Sequence, residues 1–152
     1  MPSEPTKITP TSLNDYLEIM SKSVFQSGMS WKVIENKWQT TREAFHDFDV
    51  HRVADFHEGE IEALTQDTRV VRNARKINAI VGNAQRMIEL DKEYGTFKKY
   101  LQAHGDFAAT LKAIKKDFKF MGPSGTYIFL YVVGEQVPTH EEYEAVYSKK
   151  KK

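Results

Sequence analysis

The segment KKDFKFMGPSG, residues 115–125, decides the fold, because it reads as a short turn between two helices. Asp106 can cap the helix before it, and Pro123 suits the first turn of the helix after it. Gly122 allows a turn with positive φ and a close backbone approach. The free N–H groups at such a helix start bind phosphate, with Lys119 adding charge and Ser124 a donor. The bland alternative is an ordinary turn, since a Gly-Pro-Ser-Gly sequence favours one anyway.

Helical signals continue on both sides of this turn. Asn73 can cap a long helix that Gly95 ends, and its apolar side chains recur at helical spacing. Residues 127–133 are apolar nearly all round, which predicts a central, buried helix. Thr139 and Glu142 form a capping box for a last helix. The sequence predicts an all-α fold: a compact helical domain over residues 11–147, a flexible arm over 1–10 and a basic disordered tail over 148–152.

Composition excludes several classes of protein. The chain has 152 residues, 40% hydrophobic and 28% charged, and no apolar run long enough to span a membrane. It has no cysteine, which excludes disulfides and thiolate metal sites and favours a cytoplasmic location. The net charge of +1 does not itself predict nucleic-acid binding. Basic residues do cluster, and the alternative is that they form solvated helix faces; the first cluster contains Arg69, Arg72, Arg75, Lys76 and Arg86.

A second turn combines a glycine, a flexible apolar side chain and a large aromatic one. Residues 26–31 read QSGMSW and lie between two predicted helices. An apolar side chain on a tight turn can enter a base stack, and Met29 after Gly28 has that character. Trp31 is either a wall of a pocket, able to stack on an electron-poor purine, or a core aromatic. Trp38 and Phe25 are predicted core residues.

Together these segments resemble the 3-methyladenine DNA glycosylase I family, in the helix-hairpin-helix superfamily of DNA repair proteins. The hairpin resembles the family's Lys-Lys-x-x-Phe-Lys-Phe-Val-Gly segment, with Tyr127 five residues after the glycine. The turn at residues 26–31 resembles its Gln-x-Gly-Leu-Ser-Trp segment, with Met29 in place of the leucine. The remaining matches are Phe45-His46-Asp47-Phe48-Asp49 with Val53-Ala54, Gln66-Asp67, and the pattern from Arg72 and Lys76 to Asn83-Ala84.

The resemblance implies roles for individual residues. Gly28 and Met29 form the wedge that enters the DNA, and the hairpin holds the phosphate backbone beside the lesion. The partner is double-stranded DNA with a damaged base, bound by a monomer that uses no cofactor. The implied base pocket contains Ser23, Trp31 and Tyr127, and the implied DNA-binding residues are Lys119, Gly122, Ser124, Gly125, Arg72 and Lys76.

The chain also departs from the family's pattern. Ser23 occupies the place of a family glutamate that hydrogen-bonds the flipped base, and a hydroxyl carries no charge. The catalytic residue is therefore unknown; Glu18 lies about 140° around the helix from Ser23 and is expected on the surface. The family's aromatic N-terminal stretch has no match. His140 matches one zinc ligand but Glu144 replaces another, so no metal is expected. Pro138 occupies the place of a catalytic aspartate found in the wider superfamily.

Three hypotheses follow. The favoured one is a monofunctional N-glycosylase that removes alkylated purines such as 3-methyladenine, although the Ser23 substitution leaves its enzymatic activity open. The alternative is a catalytically degenerate module of the same fold that binds distorted or abasic DNA without excising a base. The third is a helical interaction domain in which the side chains of Met29 and Trp31 are simply buried.

Overall fold

A computed structural model describes residues 6–148 of the chain, leaving out the side chains of residues 31 and 148. Over that range the backbone forms helices and turns and no strand, which confirms the all-α prediction. No helix in the described range is long and apolar enough to cross a bilayer. The helices are α1 Leu13–Gln26, α2 Trp31–Ala44, α3 Val50–Ala54, α4 Glu58–Thr65, α5 Ala74–Tyr94, α6 Phe97–Leu101, α7 Phe107–Asp117, α8 Pro123–Val132 and α9 His140–Tyr143, with a 3-10 turn at His46–Phe48 and a π turn at Glu144–Ser148.

Helix α5 is the longest helix described and the one around which others pack. Its N-cap, Asn73, accepts a hydrogen bond from the amide of Lys76, and it ends at Gly95 with φ of 88°, as predicted. Its buried stripe includes Ile77, Ile80 and Met87, and it contacts α1, α3, α4 and α6. Each such side chain contributes roughly 1.5–3 kcal/mol on burial, so packing rather than helix propensity holds α5 in place.

Helix α1 lies between α5 and α8. Ser12 caps it, and the core side chains of Leu17, Met20 and Val24 are fully buried. Helix α8 is less enclosed than its composition predicts: Phe129 and Leu130 are buried, whereas Tyr127 is only half-buried. The Tyr127 ring packs against Tyr143 of α9 and Phe107 of α7.

An aromatic cluster fills the core beside α1. The Phe48 ring stacks on Trp38 at 5.3 Å and on Phe45 at 5.1 Å, and Phe25 meets Trp38 edge-on. To place these rings the backbone of residues 46–48 takes φ values of 55°, 57° and 55°. Such left-handed positions cost roughly 1–2 kcal/mol each, and stacking and burial of the two phenylalanines offset that cost. The predicted core positions of Trp38 and Phe25 are confirmed.

The two predicted ends of the chain are only partly described. Residues 6–10 form no regular secondary structure, and the amide of Ile8 donates a hydrogen bond of 2.8 Å to the carbonyl of Val132. The Lys7 ammonium lies 4.7 Å from the centre of the Tyr131 ring. This part of the predicted arm therefore lies against the end of α8. Residues 1–5 and 149–152 lie outside the described range.

Candidate nucleic-acid interface

The predicted wedge turn occupies residues 27–30, between α1 and α2. Gly28 has φ of 76°, and a Cβ there would meet nothing within 4 Å, so the backbone angle rather than crowding favours glycine. Ser30 caps α2 by accepting from the amide of Val33. The amide of Met29 donates to the carbonyl of Gln26 at 2.9 Å, which closes the turn. The Met29 side chain is half-buried against the core, so it is neither fully enclosed nor fully free. The side chain of Trp31 lies outside the described part of the structure.

Lys76 is tied to this turn from α5. Its side chain is buried, 6% exposed, and the ammonium donates to the carbonyls of Phe25 at 3.1 Å and Ser27 at 2.5 Å. Burial lowers the pKa of the Lys76 ammonium below its ordinary value. The structure therefore differs from the predicted DNA-binding position: Lys76 faces the C-terminal carbonyls of α1, where the helix dipole is negative and attracts a cation. Two of its three donors are used inside the molecule rather than presented to a phosphate.

The hairpin turn occupies residues 118–122, between α7 and α8. Phe118 and Met121 are buried and anchor it, while the side chains of Lys119 and Phe120 are exposed. Gly122 does not take the positive φ that glycine allows: it has φ of −83° and ψ of −172°, an extended conformation. The left-handed residue of the turn is Phe120, with φ of 61°. The chain reverses there because two buried neighbours and a side-chain brace hold the backbone on both sides.

The side-chain brace is Asn83 of α5, which is buried. Its carbonyl oxygen accepts from the amide of Lys119 at 2.9 Å, and its amide nitrogen donates to the carbonyl of Lys119 at 3.2 Å. One side chain thus satisfies both backbone groups of a single residue in the turn. The sequence pattern included Asn83 as a family match but gave no sign of this contact, because the two residues are 36 positions apart.

The start of α8 has the features predicted for an anion site. Gly122 is its N-cap, Pro123 is its first residue, and no described side chain caps it. The amides of Ser124 and Gly125 therefore point out of the helix start, at the positive end of the helix dipole. Ser124 is exposed and hydrogen-bonds with Tyr143. A Cβ at Gly122 would meet nothing within 4 Å, so the backbone is open to close approach from outside.

The positive charge beside the hairpin comes from the beginning of α5. Arg72 and Arg75 are exposed, and the Arg75 guanidinium lies 5.9 Å from the centre of the Phe120 ring. The other arginines of the predicted cluster are paired with acids. Arg69 binds Asp67 at 2.8 Å, and Arg86 binds Asp117 at 2.8 Å. The basic surface is therefore smaller than the sequence cluster.

Asp117, the last residue of α7, also accepts from the hydroxyl of Tyr100 at 2.6 Å. Burial raises the pKa of the Asp117 carboxyl, but the hydrogen bonds from Tyr100 and Arg86 more than offset this effect, so its pKa lies below the ordinary value. Burial, and then the bond to Asp117, raise the pKa of the Tyr100 hydroxyl. This three-residue network joins α5, α6 and α7 at the base of the hairpin, and sequence reasoning did not find it.

Two of the predicted base-pocket residues, Ser23 and Tyr127, do not converge on one point. Ser23 is 2% exposed, and a Cβ on Gly125 would lie 3.7 Å from the Ser23 Cβ, so α1 and α8 approach closely there. Tyr127 is two residues further along α8, about 200° around the helix. Its hydroxyl donates to the carbonyl of Pro138 at 3.0 Å, and its ring centre lies 4.4 Å from that of Tyr143. Ser23 and Tyr127 therefore face different sides of α8.

Glu18 is not the surface residue that the sequence predicts. Its carboxylate accepts from the indole nitrogen of Trp38 at 2.9 Å and lies 3.2 Å from the Arg42 guanidinium. The indole needs an acceptor because the rest of its ring is buried. Glu18 is thus occupied in holding α1 to α2 and is not positioned to replace the missing family glutamate.

An open cavity of about 720 Å³ lies on another side of the molecule, between α6, α7 and the loop after α8. Its acidic side chains are already engaged. Asp106 caps α7, Glu135 accepts from Gln102, and Glu142 belongs to the capping box of α9. An acidic lining of this kind disfavours a phosphate backbone.

The same arrangement of helices occurs in the structure of 3-methyladenine DNA glycosylase I from Staphylococcus aureus. The TM-score is 0.73, with 24% identity over 85% of this chain and 80% of that one. The fold is therefore that of an all-α DNA glycosylase, with a hairpin between helices. DNA-3-methyladenine glycosylase 1 of Escherichia coli K12 is 32% identical, covering 72% of this chain and 70% of its own length. The DNA-3-methyladenine glycosylase of Haemophilus influenzae Rd is 28% identical with the same coverage. The pattern of the family described as methyladenine glycosylase matches residues 11–114, and the chain belongs to that family.

Proposed function

We propose that this protein is a DNA base-excision-repair N-glycosylase that removes alkylated purines such as 3-methyladenine from double-stranded DNA. The names of its relatives supply the substrate class. The observation that carries the proposal is the hairpin: an exposed Lys119 and an uncapped helix start, with the turn backbone held by Asn83. Such a site binds phosphates without reading sequence, which suits an enzyme that must scan for damage.

The proposed reaction begins with the DNA gripped at the hairpin and Met29 entering the base stack. The damaged nucleotide then leaves the helix, as chemistry on a base in duplex DNA requires. A 3-methylated adenine carries positive charge and is a good leaving group. Its bond to C1′ breaks with the electron pair going to the base, water adds to C1′ and loses a proton, and neutral 3-methyladenine and an abasic site remain. The protein's contribution is to orient the nucleotide and stabilise the oxocarbenium-like transition state.

One observation favours a second candidate, a module that binds distorted or abasic DNA without excision. Ser23 stands where the family has a glutamate, it is buried against Gly125, and the carboxylate of Glu18, on the same helix, is engaged by Trp38. A hydroxyl cannot offset the charge of a cationic base as a carboxylate does. This candidate has the same hairpin and wedge and differs only in the chemical step.

The test is an assay of free 3-methyladenine released from methylated duplex DNA, run beside a binding assay on a duplex with an abasic analogue. We expect base release above the buffer blank, and Lys119→Glu lowers both binding and release about tenfold because it puts a like charge beside a phosphate. Lys92→Glu is the matched control, since Lys92 is an exposed lysine near the other end of α5.

The outcomes separate the two candidates. Tight binding without release supports the binding module and contradicts the enzyme. Equal affinity of the Lys119→Glu and Lys92→Glu variants for DNA contradicts both, because each places the DNA on the hairpin.

We further propose that the protein acts as a monomer in the cytoplasm. The large apolar side chains that are exposed among the described residues, Val33, Phe120 and Val146, are scattered along the chain. The absence of cysteine from the sequence suits a reducing compartment. Sedimentation at micromolar concentration tests the first statement, and a dimer contradicts it.

A further inference from the structure

The wedge turn and the hairpin come from distant parts of the chain, and both are fastened to the same helix. Lys76 binds the wedge turn and Asn83 binds the hairpin. The two residues are seven positions apart on α5. Seven residues make nearly two full helical turns, so both side chains lie on one face, about 10 Å apart along the axis. The helix is thus a common support for the two elements proposed to contact DNA.

Lys76 holds the wedge turn through hydrogen bonds to its backbone, and not only through side-chain packing. Its ammonium binds the carbonyl of Phe25, in the last turn of α1, and that of Ser27, directly before Gly28 and Met29. A buried ammonium loses hydration and is stable only when its donors are satisfied. An apolar side chain of similar length would fill the same space but would leave the two carbonyls without this partner.

The contact made by Asn83 fixes the other element. By pairing with both the N–H and the C=O of Lys119, it fixes the two peptides that flank Lys119, and the second of these directly precedes Phe120, the residue with φ of 61°. A side chain that pairs with only one of these groups allows the peptide to rotate. The direction of the Lys119 side chain and the start of α8 both depend on that peptide.

We propose that Lys76 and Asn83 are positioning residues. They fix the wedge turn and the hairpin relative to each other along α5, so that one bound protein molecule holds a DNA strand at the hairpin and unstacks it at the wedge turn. The inference rests on the proposed function, since it assigns the register to DNA. Neither residue touches the base. Lys76 acts through Met29, and Asn83 acts through Lys119 and the start of α8.

The experiment separates the two roles with two signals on one oligonucleotide. A fluorescein-labelled duplex carries an abasic analogue with 2-aminopurine next to it. Anisotropy across a salt series reports phosphate contacts through the slope of log affinity against log salt. The 2-aminopurine intensity at saturation reports unstacking by the wedge. The variants are Lys76→Met and Asn83→Leu, with Lys92→Met and Asn78→Leu as controls on exposed positions of the same helix.

We expect a crossed pattern. Lys76→Met keeps the wild-type salt slope and loses at least threefold of the 2-aminopurine increase. Asn83→Leu loses about one unit of salt slope and about tenfold of affinity, and keeps most of the 2-aminopurine increase once it is saturated. A merely structural role does not produce this crossing, because general loosening lowers both signals together. Where Lys76→Met fails to fold, Lys76→Gln, which keeps a polar donor on a shorter stem, is measured instead.

Two results overturn the inference. Folded variants that retain both wild-type signals, or that lose both signals in proportion, contradict a positioning role while leaving the proposed function intact. No binding by the wild-type protein, even in dilute buffer, contradicts the proposed function and the inference with it.

Discussion

The hairpin and the base-pocket region differ in how they have been built. At the hairpin, the buried side chain of Asn83 from α5 holds the backbone, while the side chains of Lys119 and Phe120 remain exposed. At the pocket region, Ser23 is enclosed against Gly125, and the nearest carboxylate of α1 is committed to Trp38 and Arg42. The hairpin thus presents exposed side chains on a braced backbone, whereas the proposed pocket region encloses a neutral hydroxyl and has its carboxylate already paired.

The largest effect is expected when a carboxylate replaces the buried hydroxyl of Ser23. Ser23→Glu places a charged group in a site that is 2% exposed and faces Gly125. We expect a loss of about 3 kcal/mol in the free energy of unfolding, or a fall in melting temperature of roughly 6–12 °C. The loss shrinks as pH falls, because burial raises the pKa of a carboxyl and protonation removes the charge.

Thermal unfolding at two pH values measures this effect, with Ser23→Ala as the control for loss of the hydroxyl. A wild-type melting temperature for Ser23→Glu contradicts the description of the site as closed. An increase in base release by Ser23→Glu means that the proposed pocket lacks only a negative charge.

A second prediction concerns the base of the hairpin. Asp117→Asn removes the charge that binds Arg86 and Tyr100, and we expect a loss of about 2 kcal/mol at neutral pH. Because the folded-state pKa of Asp117 is lowered, its contribution is complete above the pKa of an unfolded aspartate, about 3.9, and disappears as pH falls through the folded value. The difference between wild type and variant therefore narrows below about pH 4.

Urea unfolding across that pH range measures the difference. Glu89→Gln is the matched control, because Glu89 is the exposed second partner of Arg86. Exposed ion pairs contribute at most about 1 kcal/mol. A larger loss for Glu89→Gln than for Asp117→Asn contradicts the assignment of Asp117 as the centre of the network.

The smallest expected effect separates the glycines of the two turns. Gly28→Ala forces a Cβ onto a backbone with φ of 76°, and we expect a loss of about 1 kcal/mol. Gly122→Ala meets neither strain nor a neighbour, so its stability stays within about 0.5 kcal/mol of wild type. It lowers DNA affinity, since the new methyl group lies at the helix start where a phosphate is expected to bind.

Melting curves and the abasic-duplex binding assay distinguish the pair. Stability that falls more for Gly122→Ala than for Gly28→Ala contradicts the backbone angles. Unchanged affinity of Gly122→Ala contradicts phosphate binding at the start of α8.

The features that the sequence predicts well are local ones. Asn73, Asp106 and Thr139 mark helix starts because an N-cap bonds within its own first turn. Gly95 marks the end of α5 because glycine takes the left-handed conformation that ends a helix without help from distant residues. The helical class and the order of elements follow from such signals, together with the apolar spacing of α1 and α5.

The features that the sequence missed depend on partners far away in the chain. In the sequence Lys76 looks like a surface cation, because only the folded structure places the carbonyls of Phe25 and Ser27 beside its ammonium. Glu18 resembles a free carboxylate until Trp38 is packed beside it. The hairpin turn was missed for a different reason. Glycine is the residue that most readily takes a left-handed conformation, but in this turn buried neighbours impose it on Phe120.

The buried ammonium of Lys76 also bears on the order in which the protein folds. The carbonyls of Phe25 and Ser27, at the end of α1, are satisfied by a residue 51 and 49 positions further along the chain, whereas Gly28, with φ of 76°, supplies a local stop signal. Pairing those two carbonyls requires closure of a long loop, which is slow compared with helix growth. The helix and its glycine stop can therefore form early, while the two carbonyls exchange water for the Lys76 ammonium only after α5 has docked.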